Sequence, residues 1–341
     1  MGGTLLQKCL RAHTSIKSPF HRAYCKTASR MEPSTLSRQC EEIKIKVPWG
    51  HIAGKWWGTK SVRPIVGLHG WQDNAGTFDT LAPLLPDHVG FLAIDYPGHG
   101  LSSRYPDGSD YTHMKYLYVL RLIMKDQNWD KISIIGHSLS SSLGFMFSAL
   151  FPDKIDMLVG FDMLKPLVRP ADSLADLLSR NMEGFIIANE RNIENSEPPS
   201  YTYEECLERF YKGLGESVDK DKCFHIMDRN IKPSRKNPNQ YYFNRDNRLR
   251  YGFGTVGQDL CVALAHRIKT TPHLFFKAKG SPYYEDEKNY FEILDILKKT
   301  NPNFEYYNIE GKHHLHLNEP EKVIGIVNEF INRHRPPSTC S

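Results

Sequence analysis

Short apolar runs recur along this chain, each closing on a glycine or a turn and most followed by a segment of helical spacing. IVGLHG (65–70), GFLAIDY (90–96), ISIIG, IDMLVGFD (155–162), HLFFKA (273–278) and FEYYNIEG read as strands. Between and after them, FDTLAPLLP, residues 112–127, 141–151, NYFEILDILKKT and EKVIGIVNEFINRH read as helices, the last opened by Asn318-Glu319-Pro320. Continuously apolar strands alternating with helices and joined by right-handed crossovers require a mostly parallel sheet covered on both faces. EIKIKV and HIAGKWWG, joined by the turn at Pro48 to Gly50, predict an antiparallel start. The rhythm breaks between Lys165 and about Arg267, where helical segments and loops carry no convincing core strand. The expected organisation is therefore a basic extension (1–40), a core in two parts (41–164 and 268–335), an inserted helical cap (165–267) and a short tail (336–341).

The net charge of +5 is concentrated at one end. Lys8, Arg11, Lys17, Arg22, Lys26 and Arg30 fall in the first thirty residues, which hold no Asp or Glu. Without them, the rest of the 44 basic residues nearly balance the 39 acidic ones, so the body lacks the basic face that nucleic acid requires. A basic, Ser/Thr-containing, acid-free leader predicts a mitochondrial address, with a plain cytoplasmic extension as the other expectation. No apolar run approaches the ~20 residues of a spanning helix. Seven scattered cysteines form no C-x-x-C pair, so neither a disulfide framework nor a zinc site is expected. HHLH stands alone, and no phosphate loop occurs; the expectation is no metal, no cofactor and a small-molecule partner, with oligomeric state left open.

KISIIGHSLSSSLGF sets a core strand, a sharp turn and a helix around Ser138. In G-x-S-x-G the nucleophile occupies a strained turn, and its neighbours two away must be small so that strand and helix approach. Gly136 meets the first requirement, whereas Ser140 stands where the second glycine belongs. A serine hydroxyl needs a base, and IEGKHHLHLNEPEKV offers His313, His314 and His316 near the C-terminal edge of the sheet. Gly70-Trp71 follows another core strand, so the Trp71 and Leu139 backbone N–H groups are the expected oxyanion donors.

Together, LHGWQDNAGTFDTLAPLLP, AIDYPGHGLSS, IIGHSLSSSLG and IEGKHHLHLNEPEKV resemble the α/β-hydrolase superfamily, and within it the serine hydrolase-like (kraken-like) group. The resemblance covers about residues 42–335. It implies an eight-stranded, mostly parallel sheet with flanking helices, Ser138 as nucleophile, His313 as base, and Trp71 and Leu139 as the oxyanion hole. The acid departs from the pattern, because Ala278 to Ser281, where most relatives carry it, holds no carboxylate. Asp162, at the end of the sixth strand, is the preferred acid; Asp286, beside Glu285 where a helix begins, is the alternative. The implied reaction is hydrolysis of a small ester or related acyl compound through an acyl-enzyme. Alternatives are a non-catalytic binding protein, or a carbon–carbon or thioester hydrolase using the same triad.

Overall fold

The structure, a computed structural model, describes residues 39–337 apart from 195 and 253. The basic leader, with its targeting expectation, and Cys340 lie outside the described residues. The chain runs β1 (Cys40–Val47), β2 (Gly50–Trp57), β3 (Ile65–Leu68), β4 (Phe91–Ile94), α1 (His113–Asp126), β5 (Ile132–His137), α2 (Leu139–Leu150) and β6 (Ile155–Phe161). Then follow α3 (Ala171–Ile193), α4 (Tyr203–Gly213), α5 (Phe224–Asn230), β7 (Ile231–Pro233), β8 (Tyr241–Phe243) and α6 (Gln258–Ala265). It closes with β9 (His273–Ala278), α7 (Glu287–Thr300), β10 (Phe304–Ile309), α8 (Leu315–Asn318) and α9 (Ile324–His334).

Eight strands form one sheet in the order β1-β2-β4-β3-β5-β6-β9-β10. Only the β1–β2 and β2–β4 pairs are antiparallel. The central strands are buried on both faces because alternate residues enter different clusters. Val66, Leu92, Ile134 and Leu158 pack with α1, α2, α6 and α7. Ile65, Phe91, Ile135 and Val159 pack with α9 and the turns near Phe78 and Leu81. β3 has β4 on one side and β5 on the other, so successive crossovers leave in opposite directions, opening a crevice at the carboxyl ends of β3 and β5.

The segment between β6 and β9 builds its own small core around Cys206, Phe210, Ile226 and Met227. Its two three-residue strands pair only with each other in the strand ladders. Arg229 fastens it to the body, with Nε 2.8 Å from an Asp95 oxygen and Nη1 2.5 Å from Glu42. A second clasp is the fully buried Asp246–Arg248 pair, whose guanidinium also donates to the carbonyls of Tyr105, Pro106 and Ser109.

Three local expectations are revised. FDTLAPLLP forms no α-helix; 3₁₀ turns at Ala75–Phe78 and Ala82–Leu84 stand there, with Pro83 inside the second and Pro86 just after it. The last helix begins at Ile324, because Pro320–Lys322 is a separate 3₁₀ turn. The 165–267 segment ends in α6, whose Cys261, Leu264 and Ala265 pack in the main core rather than among the inserted elements. Among the described residues, no helix is long and apolar enough to cross a membrane.

Candidate active site

The turn between β5 and α2 holds Ser138 at φ 52°, ψ −119°, a left-handed conformation rare for a residue with a side chain. Tight packing maintains it. A Cβ on Gly136 would come within 2.6 Å of the Ser140 carbonyl oxygen, and one on Gly160 within 2.3 Å of Ser141 Oγ. Ser140 fits the second small position because its hydroxyl is used: Oγ donates to the His69 carbonyl at 2.5 Å. That bond ties the elbow to the end of β3, where a Cβ on Gly70 would lie 3.3 Å from the Ser138 Cβ. Trp71 follows, its indole N–H donating to the Leu249 carbonyl at 2.8 Å. The Trp71 backbone thus borders the elbow, and Leu139 opens α2 on the other side of Ser138.

The loop after β10 turns at Gly311 (φ 156°) and presents His313. Its Nε2 is 2.9 Å from Ser138 Oγ, and its Nδ1 is 2.5 Å from Asp162 Oδ2. His314 and His316 are directed elsewhere, His314 Nδ1 to Ser217 Oγ at 3.0 Å and His316 Nε2 to Thr77 Oγ1 at 2.9 Å.

Asp162 directly follows β6 at φ 63°, its N–H donating to the Phe276 carbonyl at 2.8 Å. Its Oδ1 accepts from Lys277 Nζ at 2.8 Å and from the Ala278 N–H at 2.9 Å. Burial alone would raise this carboxyl, but His313 and the Lys277 ammonium hold it below the usual range. Asp286 is instead the exposed N-cap of α7, accepting from the Lys288 N–H at 2.9 Å. The Glu285 side chain, just before that cap, is buried against Lys165 Nζ at 2.6 Å. Lys277 is a site residue that sequence reasoning missed; its one signal is a lysine inside the apolar run HLFFKA.

A cavity of about 970 Å³ opens onto Ser138 and His313. Leu139, Met163, Leu167, Leu174, Leu177 and Leu178 give it apolar walls. Arg169 and Arg250 also border it.

Sheet order, strained serine turn and the imidazole facing it define an α/β hydrolase, and residues 63–208 match the family model described as the alpha/beta hydrolase fold. The chain is 36% identical over 299 residues to a probable serine hydrolase of Drosophila melanogaster, spanning 85% of this chain and 87% of that protein. It is 32% identical over 303 residues to the human serine hydrolase-like protein 2, spanning 85% and 93%. The chain therefore belongs to the serine hydrolase-like family of α/β hydrolases. A crystal structure of a hypothetical protein from Pseudomonas aeruginosa shares the fold, with TM-score 0.72 at 24% identity over 86% of this chain and 98% of that one.

Proposed function

We propose that the chain hydrolyses carboxylic esters with an apolar acyl group, with Ser138 as nucleophile, His313 as general base and acid, and Asp162 as the orienting carboxylate. The observation that carries this reading is the unbroken Ser138–His313–Asp162 hydrogen-bond chain. Asp162 Oδ2 accepts the proton on His313 Nδ1, which leaves Nε2 free to accept from the Ser138 hydroxyl. As Oγ bonds to the ester carbonyl carbon, its proton passes to Nε2 and the carbonyl oxygen becomes an oxyanion facing the Trp71 and Leu139 N–H groups. Nε2 then protonates the departing alkoxide as the C–O bond breaks, leaving an acyl-serine. Water attacks by the reverse proton path and releases the acid.

The apolar cavity walls support an acyl chain rather than a sugar or a peptide as the bound group. The test is a series of p-nitrophenyl acyl esters of graded chain length, beside fluorophosphonate labelling. Turnover and labelling that both vanish in Ser138→Ala support the reading. Labelling of neither protein, with no turnover across the series, overturns it in favour of a binding role.

A further inference from the structure

Asp73, His137 and His314 are 1%, 1% and 4% exposed, and no step above uses their side chains. They belong to the three segments that build the site. Asp73 follows the Gly70–Trp71 turn, His137 precedes Ser138, and His314 follows His313. Asp73 Oδ2 lies 3.7 Å from His137 Nδ1 and 3.6 Å from His314 Nε2. All three atoms fall within 4.8 Å of one another. Those separations exceed hydrogen-bond length, and Asp73 Oδ2 and His137 Nδ1 have no hydrogen-bond partner among the described residues.

Neighbouring bonds fix where the protons are. His137 Nε2 is 3.0 Å from the His313 carbonyl oxygen, which only accepts, so Nε2 carries the hydrogen and a neutral ring leaves Nδ1 bare. Ser217 Oγ gives its hydrogen to the Leu214 carbonyl at 2.7 Å, and therefore accepts from His314 Nδ1 at 3.0 Å. His314 Nε2 is then bare as well. Asp73 Oδ1 accepts from the Asn74 N–H at 2.8 Å, which fixes the direction of Oδ2. With neutral rings, three acceptors thus converge with no hydrogen among them. Burying such groups without a partner is costly. A water molecule has two hydrogens and satisfies only two of the three.

We propose that Asp73, His137 and His314 form a binding site for a divalent cation of the zinc class. Two neutral imidazoles and a carboxylate are the ligand set of three-ligand zinc sites, which keep one further position open. Bonds of ~2.0–2.2 Å at tetrahedral angles place ligand atoms about 3.3–3.5 Å apart. The two Asp73 separations need to close by only a few tenths of an ångström. Each ring already donates its other N–H to a fixed oxygen, as metal-bound histidines do. His137, His314 and Ser217 also line the active-site cavity, so the open position faces it.

The ion would clamp the oxyanion loop, the elbow and the histidine loop together. It would also turn the cluster from one net negative charge to one net positive charge beside His313, whose ring centroid is 4.7 Å from that of His137 and 5.3 Å from that of His314.

The test is equilibrium dialysis of the chelator-treated full chain against zinc chloride, read by atomic emission. One zinc per chain is expected, together with a higher melting temperature. Asp73→Asn and His314→Gln should each weaken binding beyond the ~10–100-fold typical of losing an outer-shell partner. Ser138→Ala should bind as wild type does, which separates this site from the hydrolytic assignment. A second measurement needs no variant: cobalt(II) bound to the wild-type chain should give the intense visible bands of a four-coordinate ion. No zinc bound at tens of micromolar, weak six-coordinate cobalt bands, or undiminished binding by both folded variants would overturn the proposal.

Discussion

Lys277 Nζ sits 2.8 Å from Asp162 Oδ1, so the carboxylate that meets His313 through one oxygen is held through the other by a buried ammonium. The same ammonium donates to the carbonyls of Ala278 at 3.0 Å and Ser281 at 2.6 Å, closing the loop after β9 around itself. Removing one partner of a buried ion pair typically costs ~3–5 kcal/mol. Lys277→Met is expected to lose stability on that scale in urea unfolding. A loss below about 1 kcal/mol would show that the pair contributes little to folding.

Asp162→Asn should cut kcat by about 10⁴, the scale seen when a triad carboxylate becomes an amide. Lys277 and the Ala278 N–H both donate to Oδ1, so the amide oxygen takes that place and its NH₂ faces His313 Nδ1, reversing the tautomer. Asp286→Asn should leave kcat and stability nearly unchanged, since Asn caps helices as well as Asp. Steady-state kinetics with a reversed ranking would remove Asp162 from its proposed role.

Ser140→Gly restores the glycine of the usual elbow but removes the bond to the His69 carbonyl. The expected cost is about 1–2 kcal/mol, from the hydrogen bond and the added backbone freedom, with turnover retained. Gly136→Ala should be far worse, because its Cβ would meet the Ser140 backbone. Thermal melts and ester turnover of the two variants check the contrast.

The Asp246–Arg248 pair predicts a pH dependence of stability. Burial would raise Asp246, but Arg248 holds it below its usual range. The unfolded chain therefore binds the proton more readily, and the pair's stabilisation is full above the unfolded value of about 3.9. It is lost as pH falls through the depressed folded value. Melting temperatures between pH 2.5 and 7 should show a shallower acid decline in Asp246→Asn, from a lower starting stability, than in wild type.

The sheet was legible because its central strands are buried on both faces, and a run such as HLFFKA or ISIIG has few other uses. Ser138 announced itself through a local pattern, strand then Gly then Ser. The contact between Asp162 and His313 depends on register instead: Phe161 pairs with both His137 and Phe276, which sets the next residue beside the elbow and the end of β9. Sequence order marks only that Asp162 ends a strand. Asp73, His137 and His314 were illegible as a group, since no local spacing relates three separate segments that meet at one crevice. The inserted segment was hardest to read. α3 buries Ala188 alone among its described residues, so its pattern answers to a cavity wall rather than to a core.

The insertion between β6 and β9 also sets a schedule. Ser138 and Asp162 leave the ribosome well before β9, the strand that borders β6, and before His313. At ~5–20 residues per second, Ser138 waits on the order of ten seconds for His313. During that interval β6 presents an unpaired edge that is apolar apart from Asp156. Any product that stops inside the insertion keeps that edge permanently, which makes truncated chains sticky rather than partially active.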